Sequence, residues 1–243
     1  MIEKINGYCK KIQFLSGASL KFIAIVSMLI DHVNKSMIYP HLVSNTGLLA
    51  TVSDIFDVIG RIAFPLFCYM IVEGFFKTRS RKKYLLNLLI FGVISEVPFD
   101  MFVTASFYNK NSQNVMFTLA LVLVTIWIID ALKAKMQNKP KLLWYVVSFV
   151  IVVVMCIVAM AFSVDYEYHA ILIGYFFYLF HDMPIFAIPF GYASMYNNPW
   201  AILGFGLTLT YNGKRGKQNK MLNYWFYPVH LFILGILRIY FGV

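Results

Sequence analysis

The chain has 243 residues, of which 60% are hydrophobic and only 13% charged, and its formal net charge is +10. A soluble domain carries about a quarter charged residues, so this composition excludes the ordinary soluble globular class. Apolar runs of about twenty residues recur along the chain, the length a helix needs to cross the hydrocarbon core, whereas a β-barrel reads as short alternating segments. The class implied is all-α: a polytopic membrane helical bundle. The basic residues sit in short clusters between apolar runs, without a continuous basic stripe, so the charge predicts cytoplasmic loops and no nucleic-acid partner. Cys9, Cys68 and Cys156 lie far apart with no CxxC spacing, which suggests neither a disulfide framework nor a metal site.

Residues 1–18 form a basic lead-in with Lys4, Lys10 and Lys11, expected to be cytoplasmic, and 19–243 are expected to form one transmembrane domain. No cleavage pattern follows the first apolar run, so that run is expected to be a retained helix. Helix one, Leu20 to Tyr39, carries Asp31-His32 near its middle. Ionisable residues at membrane depth are costly and mark function by default. Adjacent residues point about 100° apart, so these two cannot share a face, whereas Asp31 and Lys35 can. Helix two, about Ser53 to Phe76, carries Arg61 at similar depth and Glu73 near its inner end. It leads into KTRSRKK, five basic residues in seven and the strongest cytoplasmic marker.

Helix three is predicted over Tyr84 to Phe99, with Pro98 as its boundary. Helix four is predicted over Asn114 to Leu132, and helix five over Leu142 to Phe162, the latter facing lipid on much of its surface. Between Tyr168 and Tyr211 the apolar pattern is broken by HDMP, IPFG and NNPW. An acidic external turn, SVDYEYH, must there connect to a basic internal loop, NGKRGKQNK. An odd number of crossings is required; three short helices are favoured over one crossing with re-entrant pieces. The last helix, Leu222 to Tyr240, places His230 in FYPVHL. The count is about nine transmembrane helices, with eight as the alternative, and the N-terminus lies in the cytoplasm.

Three polar sets follow. Asp31, His32, Arg61 and His230 come from three helices to a common depth and are the candidate catalytic residues. Lys21, Arg79, Lys214 and Arg215 lie at the basic inner mouth, and Glu96, Asp100, Asn114, Asp165 and Tyr166 at the acidic outer one. Histidine is suited to proton transfer near neutral pH. Plainer readings exist for each: a packing histidine, a structural ion pair for Arg61, a helix-start role for His230.

The stretches LKFIAIVSMLIDHV, IGRIAFPLFCYMIVEGFFKTRS, KYLLNLLIFGVISEVPFD, NVMFTL, VDY, YNGKRG and FYPVHL resemble, in order, those of the TraX family of integral membrane proteins. The chain is also distantly similar to the membrane acyltransferases of the acyltransferase-3 type. The first resemblance implies acetylation, as of a pilin N-terminus. The second implies an early histidine as base, here His32, with the family's recurrent arginine and late histidine falling on Arg61 and His230. The expected function is a membrane-embedded acetyltransferase of the cytoplasmic membrane. It would use acetyl-CoA held by the inner-mouth cations and no metal. Its acceptor, a protein N-terminus or an envelope glycan, would sit among membrane lipid at the outer-mouth set. A proton-coupled small-molecule transporter using Asp31, His32 and Arg61 is the alternative from another class.

Overall fold

In a computed structural model of the protein, residues 11–42 and 46–242 are described. The calls on Lys4, Cys9 and Lys10, and on the middle of the loop after helix one, lie outside them. Among the described residues the chain is helical. It has no sheet, only the isolated parallel bridges Leu15–Tyr211 and Gln113–Val164.

Among the described residues six helical stretches are long and apolar enough to cross a membrane: Gly17–His41, Leu48–Lys77, Arg81–Thr104, Val115–Lys135, Lys141–Ala161 and Lys220–Phe241. The chain is a polytopic helical membrane protein. The first stretch begins as helix α1, Gly17–Val33, with Ser16 accepting from the Ser19 N–H as its N-cap. It then widens into a π-turn at Asn34–Ile38 and tightens to a 3₁₀ turn at Tyr39–His41, where Pro40 ends it. Ser36 donates its hydroxyl to the His32 carbonyl at 2.7 Å, occupying an acceptor at the point where the hydrogen-bond register changes.

The second stretch departs from the continuous helix expected of it. α2, Leu48–Gly60, and α3, Ala63–Lys77, are separated by a turn at Arg61-Ile62. The reason lies in Pro65: it has no N–H for the Arg61 carbonyl, and its ring excludes that carbonyl from a helical position. The Ser27 hydroxyl donates to the carbonyls of Ile59 and Gly60 beside the break, at 2.6 and 3.3 Å.

Pro98 also acts differently from the expectation. Helix α4, Arg81–Thr104, runs through it and stops only at Ala105, whose φ is 53°. One proline costs the ladder one donor, whereas ending the helix at depth would strand several backbone groups where water cannot satisfy them. α5, Val115–Lys135, is capped by Asn114, and Lys133 and Lys135 lie favourably in its last turn. On α6, Lys141–Ala161, Leu142, Phe149, Val153, Ile157 and Met160 are exposed, as expected of a lipid-facing helix.

The interval from 168 to 211 contains three short helices: α7, Glu167–Leu179, α8, Ala187–Ser194, and α9, Ala201–Thr208. At about 1.5 Å per residue, even the 13 residues of α7 reach only about 20 Å of the roughly 30 Å core. α10, Lys220–Phe241, is capped by Asn219 and closed by Gly242 with φ 69°.

Packing divides the chain into two compact units interleaved in sequence. The first takes the described residues up to Phe67, Val93–Lys110, and those from Met195 onward. In it α1 packs on α2 and on α10. Two close approaches fix it. A Cβ on Gly60 would lie 2.5 Å from Asp31 Oδ1, and one on Gly204 would lie 2.6 Å from the Ile62 carbonyl, so both helices come closer than a side chain permits. The second unit, Cys68–Gly92 with Asn111–Ser194, packs α7 against α5, α6 and α8 around Leu123, Ile126, Ile171 and Phe177.

Candidate functional site

The paired rings of the first unit are the centre of the site. His32, on α1 two residues before the π-turn, meets His230, on α10 two residues after Pro228. His32 Nδ1 lies 2.8 Å from His230 Nε2, with the ring planes 10° apart, and His230 Nδ1 lies 2.7 Å from the Phe226 carbonyl oxygen. A carbonyl only accepts, so His230 Nδ1 carries the proton of that bond. With both rings neutral, His230 Nε2 is then the acceptor and His32 Nδ1 the donor. The chain of bonds leaves His32 Nε2 as the basic nitrogen. Phe102 flanks the His32 ring at 4.7 Å and Phe226 stacks on His230 at 4.7 Å, so both rings are held by aromatic walls as well as by hydrogen bonds.

Asp31 points elsewhere, as adjacency on a helix requires. Its buried carboxylate takes Lys35 Nζ at 2.7 Å on Oδ2 and Arg61 Nη2 at 3.5 Å on Oδ1. The Arg61 guanidinium is also bonded to Asp57, one turn back on α2. The four expected catalytic residues thus fall in one unit as two neighbouring sets. One is an imidazole pair; the other is a carboxylate–guanidinium clasp that joins Asp31 on α1 to Arg61 at the α2–α3 break and Asp57 on α2. Asp31 orients Arg61, while His32 is oriented by His230.

Of the inner-mouth set, Lys21, Lys214 and Arg215 belong to the first unit and Arg79 to the second. The YNGKRG loop is strapped to the start of α1. The Gly17 and Ala18 N–H groups donate to the carbonyls of Lys214 and Arg215 at 2.9 Å each, and Asn212 N–H donates to the Leu15 carbonyl at 2.9 Å. Gly216, at φ 72°, is needed there, since a Cβ would lie 2.5 Å from Ser16 Oγ.

The outer-mouth set divides likewise. Asp100, buried on α4 in the first unit, accepts the Asn109 N–H at 2.9 Å, and Glu96 lies one turn before it. In the second unit Asn114 caps α5 and donates to the Gly92 carbonyl at 2.8 Å. Asp165 joins the Gln113–Val164 bridge through its backbone and accepts from Thr118 on its carbonyl, and Tyr166, with φ 62°, precedes α7. Asn114 and the Asp165 backbone therefore hold helix starts in place.

Sequence reasoning overlooked several groups. The Phe226 carbonyl could have been found from its i, i+4 spacing to His230. In the second unit Glu73 takes both His181 Nε2 and Lys77 Nζ at 2.8 Å, and Asp130 takes Arg81 at 2.8 Å and the Tyr178 hydroxyl at 3.1 Å. Those partners are up to 108 residues apart, a separation no local spacing reveals. Among the described residues no three His, Cys, Asp or Glu side chains form a group that could hold a metal ion.

Fold and site together define a polytopic helical membrane protein whose interior carries a hydrogen-bonded imidazole pair beside a charged clasp. The family model of the TraX protein matches residues 16–238, and the chain belongs to the TraX family. It is also 35% identical over 126 residues to a probable fimbrial assembly protein FimC, serogroup H1, of Dichelobacter nodosus. That match covers 46% of each chain, so less than half of the curated relative's length is aligned. No solved structure matches the chain.

Proposed function

We propose that the protein is an acetyltransferase of the cytoplasmic membrane, moving an acetyl group from acetyl-CoA to an amine at or across the bilayer. The observation that carries this reading is the Phe226–His230–His32 chain, which holds one imidazole in a fixed orientation with its Nε2 basic. In the proposed reaction the acceptor nitrogen attacks the thioester carbonyl and gives its proton to His32 Nε2. A C–N bond forms and the C–S bond breaks. The departing thiolate takes the proton from His32, leaving N-acetylated acceptor and free coenzyme A. Such a base contributes about 10²- to 10⁴-fold. The oxyanion of the tetrahedral intermediate needs a donor in a site that excludes water, and the Arg61 guanidinium, held by Asp31 and Asp57 in the same unit, is the cation assigned that task in this reading.

Membership in the TraX family and similarity to a fimbrial assembly protein favour a protein N-terminus as acceptor over a glycan. The outer-mouth carboxylates Glu96 and Asp100 suit an ammonium. The test is transfer of radiolabelled acetyl from acetyl-CoA to peptides with free or blocked N-termini, in proteoliposomes. Transfer to the free amine that disappears in His32→Gln is expected. No acetyl-CoA consumption with any acceptor, together with solute uptake driven by a proton gradient, would sink the reading in favour of a transporter.

A further inference from the structure

Arg238 stands inside an apolar run, LFILGILRIYF, where a guanidinium is costly unless polar groups meet it. Two backbone carbonyls of the first unit do so. Helix α4 stops at Thr104 and the chain turns away at Ala105, so the carbonyls of its last turn lack a helical N–H to accept from. Arg238 Nη1 donates to two of them, those of Phe102 and Val103, the latter at 2.6 Å. A cation also suits the negative end of a helix dipole. Helix α10 comes close enough because residue 235 is glycine: a Cβ there would lie 2.6 Å from Met101 Cβ and 3.2 Å from the Phe102 nitrogen. Gly235 and Arg238 thus grip three consecutive residues of α4, and Phe102 is the middle one.

The side chain of that middle residue is buried against the His32 ring, with centroids 4.7 Å apart and planes 39° apart. The bond between His32 Nδ1 and His230 Nε2 fixes one corner of the imidazole. The ring can still swing about the line from Cβ to Nδ1, and Nε2 lies off that line, so a swing carries the basic nitrogen with it. Phe102 blocks the swing on the face it covers. Helix α10 therefore holds His32 twice: directly through His230 and, about two turns further on, through Arg238 and Phe102. We infer that Arg238 is a positioning residue for His32, acting through Phe102 to set the direction in which Nε2 points. Its part in the reaction rests on the acetyl-transfer reading and deepens it, whereas its hold on the imidazole can be tested without that reaction. A plain cap of α4 would stabilise the helix end and leave His32 unaffected.

The experiment measures carbethoxylation of His32 by diethyl pyrocarbonate, resolved by peptide mass spectrometry, on the full chain in a neutral detergent. The reagent attacks an unprotonated imidazole nitrogen, so the rate reads the access and orientation of Nε2. Arg238→Met and Phe102→Ala should each raise that rate several-fold, and the double variant should raise it no further than Phe102→Ala alone. Arg238→Lys, whose ammonium can still donate to both carbonyls, should stay near wild type. In steady-state acetyl transfer Arg238→Met should lower kcat about tenfold or more with KM for the donor little changed, since a misplacement of about 1 Å can cost about 10²-fold. If Arg238→Met does not fold, Arg238→Gln, with a neutral donor on a shorter stem, is measured in its place.

Effects of Arg238→Met and Phe102→Ala that add in the double variant overturn the proposal. So does an unchanged His32 rate in a folded Arg238 variant, since the arginine would then only cap α4. Coupled effects on His32 in a protein that transfers no acetyl group would remove the acetyl-transfer reading and leave the hold on the imidazole standing. Acetyl transfer by a protein whose His32 is indifferent to Arg238 would do the reverse.

Discussion

At the residue scale the proposed chemistry turns on which nitrogen of His32 is basic. A ring whose Nδ1–H is spoken for by His230 presents Nε2, and His230 is fixed in turn by the Phe226 carbonyl. In the proposed reaction His230 is a positioning residue: His230→Phe keeps an aromatic ring but cannot accept from His32 Nδ1. We expect that variant to lower kcat by about 10²-fold or more with KM for the donor little changed. His230→Gln, whose amide oxygen can accept, should recover part of the loss; a steady-state comparison of the two variants checks this. The Asp31–Arg61–Asp57 clasp makes a separate prediction. Removing either Asp31 or Arg61 leaves a partly buried charge with fewer partners, so Asp31→Asn and Arg61→Gln should each destabilise the protein. The double variant should lose less than their sum, by about 0.5–3 kcal/mol, in a double-mutant cycle of detergent melts.

At the element scale two of the prolines, Pro65 and Pro98, have opposite consequences. Pro65 stands at the third position of α3, just past the break, while Pro98 is absorbed inside α4. Replacing Pro98 with Ala restores a donor to the Ile94 carbonyl and should raise the melting temperature. Replacing Gly60 with Ala at the break should lower stability by about 1–3 kcal/mol, because the new Cβ would meet Asp31 at 2.5 Å. Both are read from thermal unfolding of the purified protein. A fall in stability for Pro98→Ala would show that α4 needs the proline's bend to place its neighbours. The π-turn after His32 is legible only in the fold: Asn34 and Ser36 look like ordinary helix residues in sequence. Their bonds to the Ser53 and His32 carbonyls show how the widened turn is held.

At the scale of the whole molecule the question is how the chain is threaded. Among the described residues six helical stretches have membrane-spanning length, and α7, α8 and α9 individually do not. An acidic turn at Asp165 and a basic loop at Lys214 still require a net change of side between them if the basic loops face the cytoplasm. We expect a cysteine introduced at Gln218 to react with an impermeant maleimide only from the cytoplasmic side, and one introduced at Tyr168 only from the other. Labelling of both from the same side would show that the short helices re-enter without crossing. Broken helices at depth are tolerated where they line a cavity or are covered by protein, and Gly204 against the Ile62 carbonyl shows one such covered approach.

Composition and hydrophobic run length were enough to establish the all-helical membrane class, because a bilayer leaves a backbone few other solutions. They also placed five of the long helices within a few residues of their observed positions, and the order of motifs identified the family. Polar residues inside apolar runs drew attention to Asp31, His32, Arg61 and His230, since each has a desolvation cost that sequence alone makes visible. The partners were decided elsewhere. His32 and His230 are 198 residues apart, His181 and Glu73 are 108, and Arg81 and Asp130 are 49. Local periodicity fixes the face a residue occupies on its own helix, but which face it meets depends on how helices distant in sequence pack together.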